Sequence, residues 1–505
     1  MFKLLRKLWK VGLLKPRGLW RLWAASRQEG VNLMAVLNYA SRQYGQRTAL
    51  HCGEVAISFA DLHRTSRHLA VGLAESHGLQ PGQTGILCRN HIACTQAIAA
   101  CARLGVHVLL LNVEMAAPQL QAILAQQRLS LLIHDPEREA DVVGYAPCLS
   151  VNGTASMQEL LAAPALDSKL PKCKAGRIVL LTGGTSGRAK TAGRKPSIAQ
   201  LLYPAMAMLL DVEVDRFRSV YVATPLYHGY GLSAFMIAAF LGLEMHFLPR
   251  FSAKDACELI ARHRVEGATL VPLMLQRMLR HDAQAIHSLK CILSGGAPLS
   301  QELAAEARAN LGEVLFNLYG TSESGFSILA KPADLVAHPG TIGRPIRGVR
   351  VKLAPRDEAD VAAGNVGILH LRTHIAMESK DPWLSTGDVC RKDADGLLYL
   401  LGRGDQMIVS GGENVFPADV EAVLLRHPDV QEAAVLAVED AEFGHRLWAF
   451  LVLRTGVEPS QEVIRQWLST HLARYQMPAQ IHFIDALPML ETGKVSRVRL
   501  MEMVV

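Results

Sequence analysis

The stretch Leu180 to Lys190, LLTGGTSGRAK, brings three glycines, Thr182, Thr185, Ser186 and a lysine together directly after an apolar run of strand length. That combination suits a phosphate: glycines let successive backbone N–H groups turn inward, hydroxyls donate, and Lys190 supplies charge. The GxxxxGK[ST] spacing of a Walker A loop is absent, so the residues alone leave two readings open, a phosphate cradle and a structural glycine turn. The nine cysteines are odd in number, scattered, and never arranged as CxxC or CxxH. They indicate neither a disulfide framework nor a zinc site, and a reducing compartment fits them best.

At about 150 residues per domain, 505 residues are too many for one ordinary domain. Half are hydrophobic and a fifth are charged, which excludes a disordered, collagen-like or disulfide-scaffold protein. The net charge of +7 raises nucleic acid or an anionic membrane as a partner only if the excess lies in one patch. It does: Lys3, Arg6, Lys7, Lys10, Lys15, Arg17, Arg21 and Arg27 give residues 1–28 a charge of +8 before the first acid, Glu29, and the other 477 residues sum to −1. A near-neutral body gives no reason to expect nucleic acid.

In the arm, Phe2, Leu5, Leu8, Trp9 and Leu13 share one helical side and Lys3, Lys7 and Lys10 another, with Pro16 and Gly18 interrupting before a second Leu/Trp cluster. Such a segment can lie in the headgroup plane of an anionic membrane, each cation near the surface contributing about 1 kcal/mol. A solvated arm, a helix packed on the body and a mitochondrial targeting peptide are the other readings. No uninterrupted apolar run reaches the roughly 18 residues of a membrane span. The expected location is cytoplasmic, peripheral to the inner face of the membrane.

The elements that must position the loop follow α/β order. Apolar runs at Arg177, Ser219, Ala268, Cys291 and Val314 are separated by helical patterns, and Gly229 to Leu243 reads as a buried helix. Around Val349 the rhythm changes to RVKLAP, VGILHLRT and GLLYLLGR, closely spaced short strands of an antiparallel subdomain. After Gly402 a fresh pattern of helix, two strands, helix and strand begins. The expected division is an arm (1–28), a large multi-subdomain α/β body (29–402) and a small α+β C-terminal cap (403–505).

Six further blocks follow the phosphate loop in order: PLYHGYG from Pro225, LSGGAPLS from Leu293, NLYGTSES from Asn317, WLSTGD from Trp383, DADGLLYLLGRGDQMIVSGGENVFPADVE from Asp393 and ALPMLETGKVSR from Ala486, with PGTIGRP at Pro339 as an added marker. Together they resemble the adenylate-forming (AMP-binding) superfamily, most like a fatty acyl-CoA synthetase. Gly183, Ala189 and Thr191 depart from that family's phosphate loop, and Ser322 and Gln406 stand where Thr and an acid are commoner.

The resemblance implies an AMP-forming acid–thiol ligase. A carboxylic acid, expected from the arm to be a medium- or long-chain fatty acid, is activated by ATP to acyl-AMP, and CoA then displaces AMP. It implies phosphate binding by Thr182, Gly184, Thr185, Ser186, Gly187 and Lys190, adenine packing by Gly295, Gly296, Ala297, Tyr319 and Gly320, with Ser322 beside them, and Mg²⁺ on Glu323, a hard oxygen ligand for a hard ion. His228 is the expected gate of the acyl pocket, Asp388 the acceptor for the ribose hydroxyls, and Arg403 a ribose or phosphate contact. Asp405 is the expected hinge, Gly411, Gly412 and Glu413 the thiol-acceptor loop, and Lys494 the bridge between carboxylate and α-phosphate. A ligase loading a separate acyl carrier protein and a membrane-tethered non-catalytic homologue are the alternatives.

Overall fold

The computed structural model describes residues 2–78, 82–115, 117–145, 147–152, 156–163, 170–171, 173–182, 190–194, 198–355, 365–373, 382–403, 408–410, 413–415, 417–440, 444–458, 460–472, 476–490 and 495–503. The chain forms two compact units, the first built mainly from residues 1–270 with 277–293 and 322–326, the second from 271–276, 294–321 and 327–505.

The first unit holds two sheets. In one, Gly267–Leu270, Ser219–Val222, Glu244–Phe247 and Thr48–Cys52 run parallel in that order, and Val55–Ser58 closes the edge as an antiparallel hairpin. In the other, Cys148–Ser150, Leu131–His134, Gln83–Leu87, His107–Leu110 and Ile178–Thr182 are parallel, and Lys190–Arg194 returns antiparallel on Ile178–Thr182. Parallel strands need crossover helices, which cover both faces. One of these is Ile92–Leu104: His91 caps it, its Nδ1 accepting from the Cys94 N–H at 3.1 Å, and Gly105 ends it in the left-handed region at φ +71°. Its run of alanines and cysteines is buried almost throughout, so close packing rather than an amphipathic stripe holds it.

The basic arm is two helices, Phe2–Lys10 and Pro16–Glu29. The second runs through the expected boundary at residue 28 and ends on Glu29, whose buried carboxylate takes Arg103 at 2.8 Å, the Asn38 amide at 2.9 Å and His63 at 3.2 Å. The first turns Lys7 alone inward. Lys7 is buried against Asp215 at 2.6 Å and Glu213 at 3.3 Å, and Lys3 and Lys10 reach the same two acids at 3.4 and 3.6 Å.

The second unit carries a mostly antiparallel ladder, Arg350–Ala354, Val366–Arg372, Leu384–Lys392, Leu398–Arg403, Thr341–Pro345, Gly325–Ala330 and Leu315–Thr321 in that order. It also carries a five-stranded sheet in which Gly444–Leu453 pairs antiparallel with Val430–Asp440 and parallel with Gln480–Phe483. The helices Pro417–Leu425 and Gln461–His471 share an apolar core with that sheet, through Val420, Leu424, Ile464 and Leu468. The antiparallel subdomain expected from Val349 onward is present, but the antiparallel pairing starts earlier, with Gly325–Ala330 on Thr341–Pro345. Among the described residues no helix is long and apolar enough to cross a membrane.

Candidate active site

Leu315–Thr321 delivers Tyr319 and Gly320, and Leu384–Lys392 delivers Asp388. The Tyr319 hydroxyl donates to Asp388 Oδ2 in a short hydrogen bond. Burial, then the Asp388 charge, pushes the Tyr319 phenol above its usual range, so it stays a donor. Asp388 is itself buried, and its N–H donates to Thr386 Oγ1 at 3.1 Å, whose hydroxyl in turn donates to Leu369 O at 2.9 Å. Aspartate and tyrosine are therefore fixed relative to each other by two strands and a threonine. Arg403 is the register partner of Asp388 on the neighbouring strand.

Below Tyr319, Asn317 reaches Thr341 O at 3.4 Å, and the Thr341 hydroxyl donates to Leu398 O at 2.9 Å while accepting from Gly343 N at 3.0 Å. Gly343 lies at φ +93°, where an added Cβ would fall 2.0 Å from Leu329 O; the PGTIGRP block is a packing device under the Tyr319 strand. Gly295 ends the strand Cys291–Gly295, Gly296 turns at φ +82°, and Ala297 follows before Ser300 caps Gln301–Leu311. Glu323 is half-buried in the turn between Leu315–Thr321 and Gly325–Ala330, with Ser322 exposed beside it.

His228 belongs to the first unit and stands at the N-cap of Gly229–Leu241. Its ring lies 4.7 Å from that of Tyr227, and the Tyr230 hydroxyl donates to Leu293 O at 2.7 Å. Two residues hold it: Asn90, which lies outside every motif, and Gly231, which closes PLYHGYG but was given no role there. Asn90, buried, donates to Thr224 O at 3.0 Å and accepts from Leu226 N at 2.8 Å, so one side chain clamps the turn that leads into His228. Gly231 lets the helix close on that turn: a Cβ there would meet Pro225 O at 2.3 Å and Thr224 O at 2.4 Å. No local pattern marks Asn90, because its partners lie more than 130 positions away.

Gly184, Thr185, Ser186, Gly187, Asp405, Gly411, Gly412 and Lys494 lie outside the described residues, as do the side chains of Thr182, Lys190, Arg403 and Glu413. The backbone at the ends of the glycine-rich stretch is described: Thr182 and Lys190 are register partners of an antiparallel pair.

The chain matches the family model of the AMP-binding enzymes over residues 37–379 and that of the AMP-binding enzyme C-terminal domain over 419–494. The chain belongs to the AMP-binding enzyme family. It is 31% identical to a 2-succinylbenzoate–CoA ligase of Geobacillus kaustophilus (90% of this chain, 94% of the relative) and 29% identical to a feruloyl-CoA synthase of an Amycolatopsis species (90% and 95%). The solved o-succinylbenzoate CoA synthetase of Bacillus subtilis, in complex with its acyl-adenylate, superposes with a TM-score of 0.79 at 28% identity over 92% of this chain and 97% of that one. A second structure of that enzyme contains ATP and a magnesium ion (TM-score 0.78, 27% identity, 92% and 99%).

The protein is thus an AMP-forming acid–thiol ligase, with ATP, Mg²⁺ and CoA as its cosubstrates and metal, and the non-catalytic reading falls away. The superfamily expected from the motifs is correct. Its finer version is corrected: these relatives are CoA ligases of aromatic acids, not long-chain fatty acyl-CoA synthetases. Glu323 fits the metal in donor chemistry, a half-buried carboxylate offering the oxygen that Mg²⁺ takes.

Proposed function

We propose that the chain activates an aromatic carboxylic acid. The carboxylate oxygen bonds to the α-phosphorus of ATP as the bond to the leaving phosphate breaks and its electron pair departs with pyrophosphate. The CoA sulfur then bonds to the acyl carbon, the C–O bond to AMP breaks, AMP takes the pair, and the thiol proton passes to solvent. The observation that carries the substrate class is that relatives matched over 90% of the chain act, by their names, on 2-succinylbenzoate and ferulate.

Asp388, oriented by Tyr319, takes the ribose hydroxyls, and the Tyr319 ring with the Gly295–Ala297 backbone takes adenine. Arg403 contacts ribose or phosphate. Residues 182–190 hold the phosphates, Glu323 holds Mg²⁺, which neutralises phosphate charge when bound, and His228 gates the acyl pocket. Both steps concentrate negative charge, so Lys494, bridging carboxylate and α-phosphate, is the sharpest catalytic assignment. Lys494 and the thiol-acceptor loop Gly411–Glu413 both fall within 403–505 yet act in different steps, so rotation of that cap about Asp405 separates them.

A fatty acid is the second reading, favoured by the exposed Phe, Leu and Trp side chains of the arm. These, with Arg6, Lys10 and Arg17 also exposed, suit peripheral attachment to the inner face of an anionic membrane. A separate acyl carrier protein is the alternative thiol acceptor.

A panel of 2-succinylbenzoate, ferulate, benzoate, octanoate, palmitate and acetate, scored for AMP release with CoA, with holo-carrier protein and with neither, tests all of this. Aromatic acids with CoA should dominate; turnover of palmitate alone would move the substrate to the fatty class, and turnover only with holo-carrier would move the acceptor. Lys494→Ala should slow adenylation about 10²–10³-fold and spare thioester formation from supplied acyl-AMP. An equal loss in both half-reactions would refute its role.

A further inference from the structure

Outside the residues assigned to the active site, three histidines and a glutamate of the first unit converge. His51 lies on the strand Thr48–Cys52, Glu244 and His246 on the strand Glu244–Phe247, and His263 is the last residue of the helix Ala253–His263. The two strands are parallel neighbours with His51 and His246 in register, so their rings stack 4.8 Å apart. The His263 ring closes the group at 4.7 Å from His246 and 5.0 Å from His51. One donor atom from each of the four residues lies within 4.8 Å of the others.

Packing alone does not explain this group. His246 is fully buried, and neither of its ring nitrogens has a hydrogen-bond partner among the described residues. Buried imidazole nitrogens are ordinarily satisfied. The other cluster of this kind, Cys88, His91 and Asp135, obeys that rule: His91 Nε2 lies 2.7 Å from Asp135 Oδ1, and its Nδ1 accepts from the Cys94 N–H. Glu244 Oε1 lies 3.6 Å from His246 Nε2, and that same oxygen is 2.7 Å from His51 Nε2. A tetrahedral ion with arms of about 2.1 Å needs donor atoms about 3.4 Å apart, and the two Glu244 distances bracket that edge.

The surroundings also favour a cation. His263 ends its helix, where the carbonyl end of the backbone dipole carries partial negative charge. Arg264 adopts the left-handed conformation at φ +48° to stop the helix there. The adjacent Arg262 is held by both oxygens of Glu54, at 2.7 and 3.1 Å. Glu244 is 38% exposed, which gives an ion a route to the buried ring.

We infer that His51, Glu244, His246 and His263 form a closed four-ligand site for a borderline divalent cation of the Zn²⁺ class. Three imidazoles and one carboxylate suit Zn²⁺ in ligand type and number, and with four protein donors no position is open for substrate. The bound ion is structural: it ties the Thr48–Cys52 and Glu244–Phe247 strands to the C-terminus of the Ala253–His263 helix.

The test uses the full chain without a polyhistidine tag, stripped with chelator and titrated with Zn²⁺ and, in parallel, with Co²⁺. One equivalent of each should bind, Co²⁺ should develop the intense visible bands of a tetrahedral site, and Zn²⁺ should raise the melting temperature in a concentration-dependent way. His51→Ala and His263→Ala, at partly buried positions more tolerant of truncation than the fully buried His246, should each weaken binding at least about 100-fold and abolish the Co²⁺ bands and the thermal shift. Glu54→Ala, beside the site but outside the ligand set, should bind like wild type. Absence of saturable one-equivalent binding to the folded wild-type chain overturns the inference, and so does wild-type affinity in both histidine variants.

Discussion

At the scale of single residues, the pairing of Tyr319 with Asp388 turns two motif positions into one unit. Tyr319→Phe keeps the ring for adenine and removes the hydroxyl that orients the carboxylate. With a net hydrogen-bond contribution of about 1 kcal/mol, the KM for ATP should rise about fivefold with kcat nearly unchanged. Asp388→Asn should raise it further, because the amide loses the charge. Initial-rate kinetics at saturating acid and CoA read both, and an unchanged KM in Tyr319→Phe would remove the hydroxyl from nucleotide binding. Both residues were legible in the sequence as parts of YGTSE and STGD, because signature residues carry chemistry that composition repeats. Thr386 stands inside STGD, but its role of tying Asp388 to the neighbouring strand was not legible, and Asn90 lies in no motif: each acts through a backbone carbonyl on another element, and one sequence holds no trace of that pairing. His51, Glu244, His246 and His263 were invisible for the same reason. Metal motifs are recognised by close spacing, and here a parallel strand pair brings donors together from opposite ends of a unit.

At the scale of elements, strand and helix positions were largely legible because the apolar runs are dense, whereas the clearances between elements were not. Gly231 shows why: its value lies in the 2.3 Å that a Cβ would leave to Pro225 O, a distance set by tertiary packing. Gly231→Ala should push the Gly229–Leu241 helix off its turn and displace His228. The expected result is a rise in KM for the acid with little change in KM for ATP; a rise shared equally by both would point to general unfolding. The C-terminal sheet offers a pH test. Burial pushes the Glu421 carboxyl up to about 7, against the Val435 N–H, which donates to it at 2.8 Å, and the charge of Arg497. Its ordinary value is 4.5, so the folded state binds more protons than the unfolded one between those limits, and the contribution to stability is lost as pH rises from about 4.5 to 7. Glu421→Gln removes that loss. Denaturant melts should show it more stable than wild type at pH 8 and nearly equal at pH 4.5, and a gain that is the same at both values would mean that Glu421 is not the titrating group.

At the scale of the whole molecule, the charge asymmetry that first separates the arm from the body acquires a different physical meaning. Read as a sequence, eight cations on residues 1–28 make attachment to an anionic bilayer chiefly electrostatic. The fold spends part of that charge internally, since Lys3, Lys7 and Lys10 pair with Glu213 and Asp215. What it leaves outward is both basic and apolar: Lys3, Arg6, Lys10, Lys15, Arg17 and Arg27 stay exposed, Phe2 is 82% exposed, and Leu5, Trp9, Leu19, Trp20 and Trp23 are each close to half exposed or more. Six such side chains on two consecutive helices form a surface that water disfavours and an interfacial layer accepts. The proposed membrane attachment should therefore draw on the tryptophans as well as on the exposed cations. Each half-exposed tryptophan newly buried contributes about 1 kcal/mol, so the triple substitution Trp9→Ser, Trp20→Ser, Trp23→Ser should weaken sedimentation with phosphatidylglycerol-containing vesicles about 100-fold. Raising salt through the physiological range should weaken the wild type as well, because six exposed cations are left to screen. Substituting the tryptophans tests this better than deleting the arm, since deletion also uncovers Glu213 and Asp215 and removes the helix that ends on the Glu29–Arg103 pair. Equal sedimentation of wild type and the triple variant would remove the tryptophans from the contact, and no sedimentation of the wild type at low salt would return the arm to the role of a packed helical pair whose lysines neutralise two acids of the body.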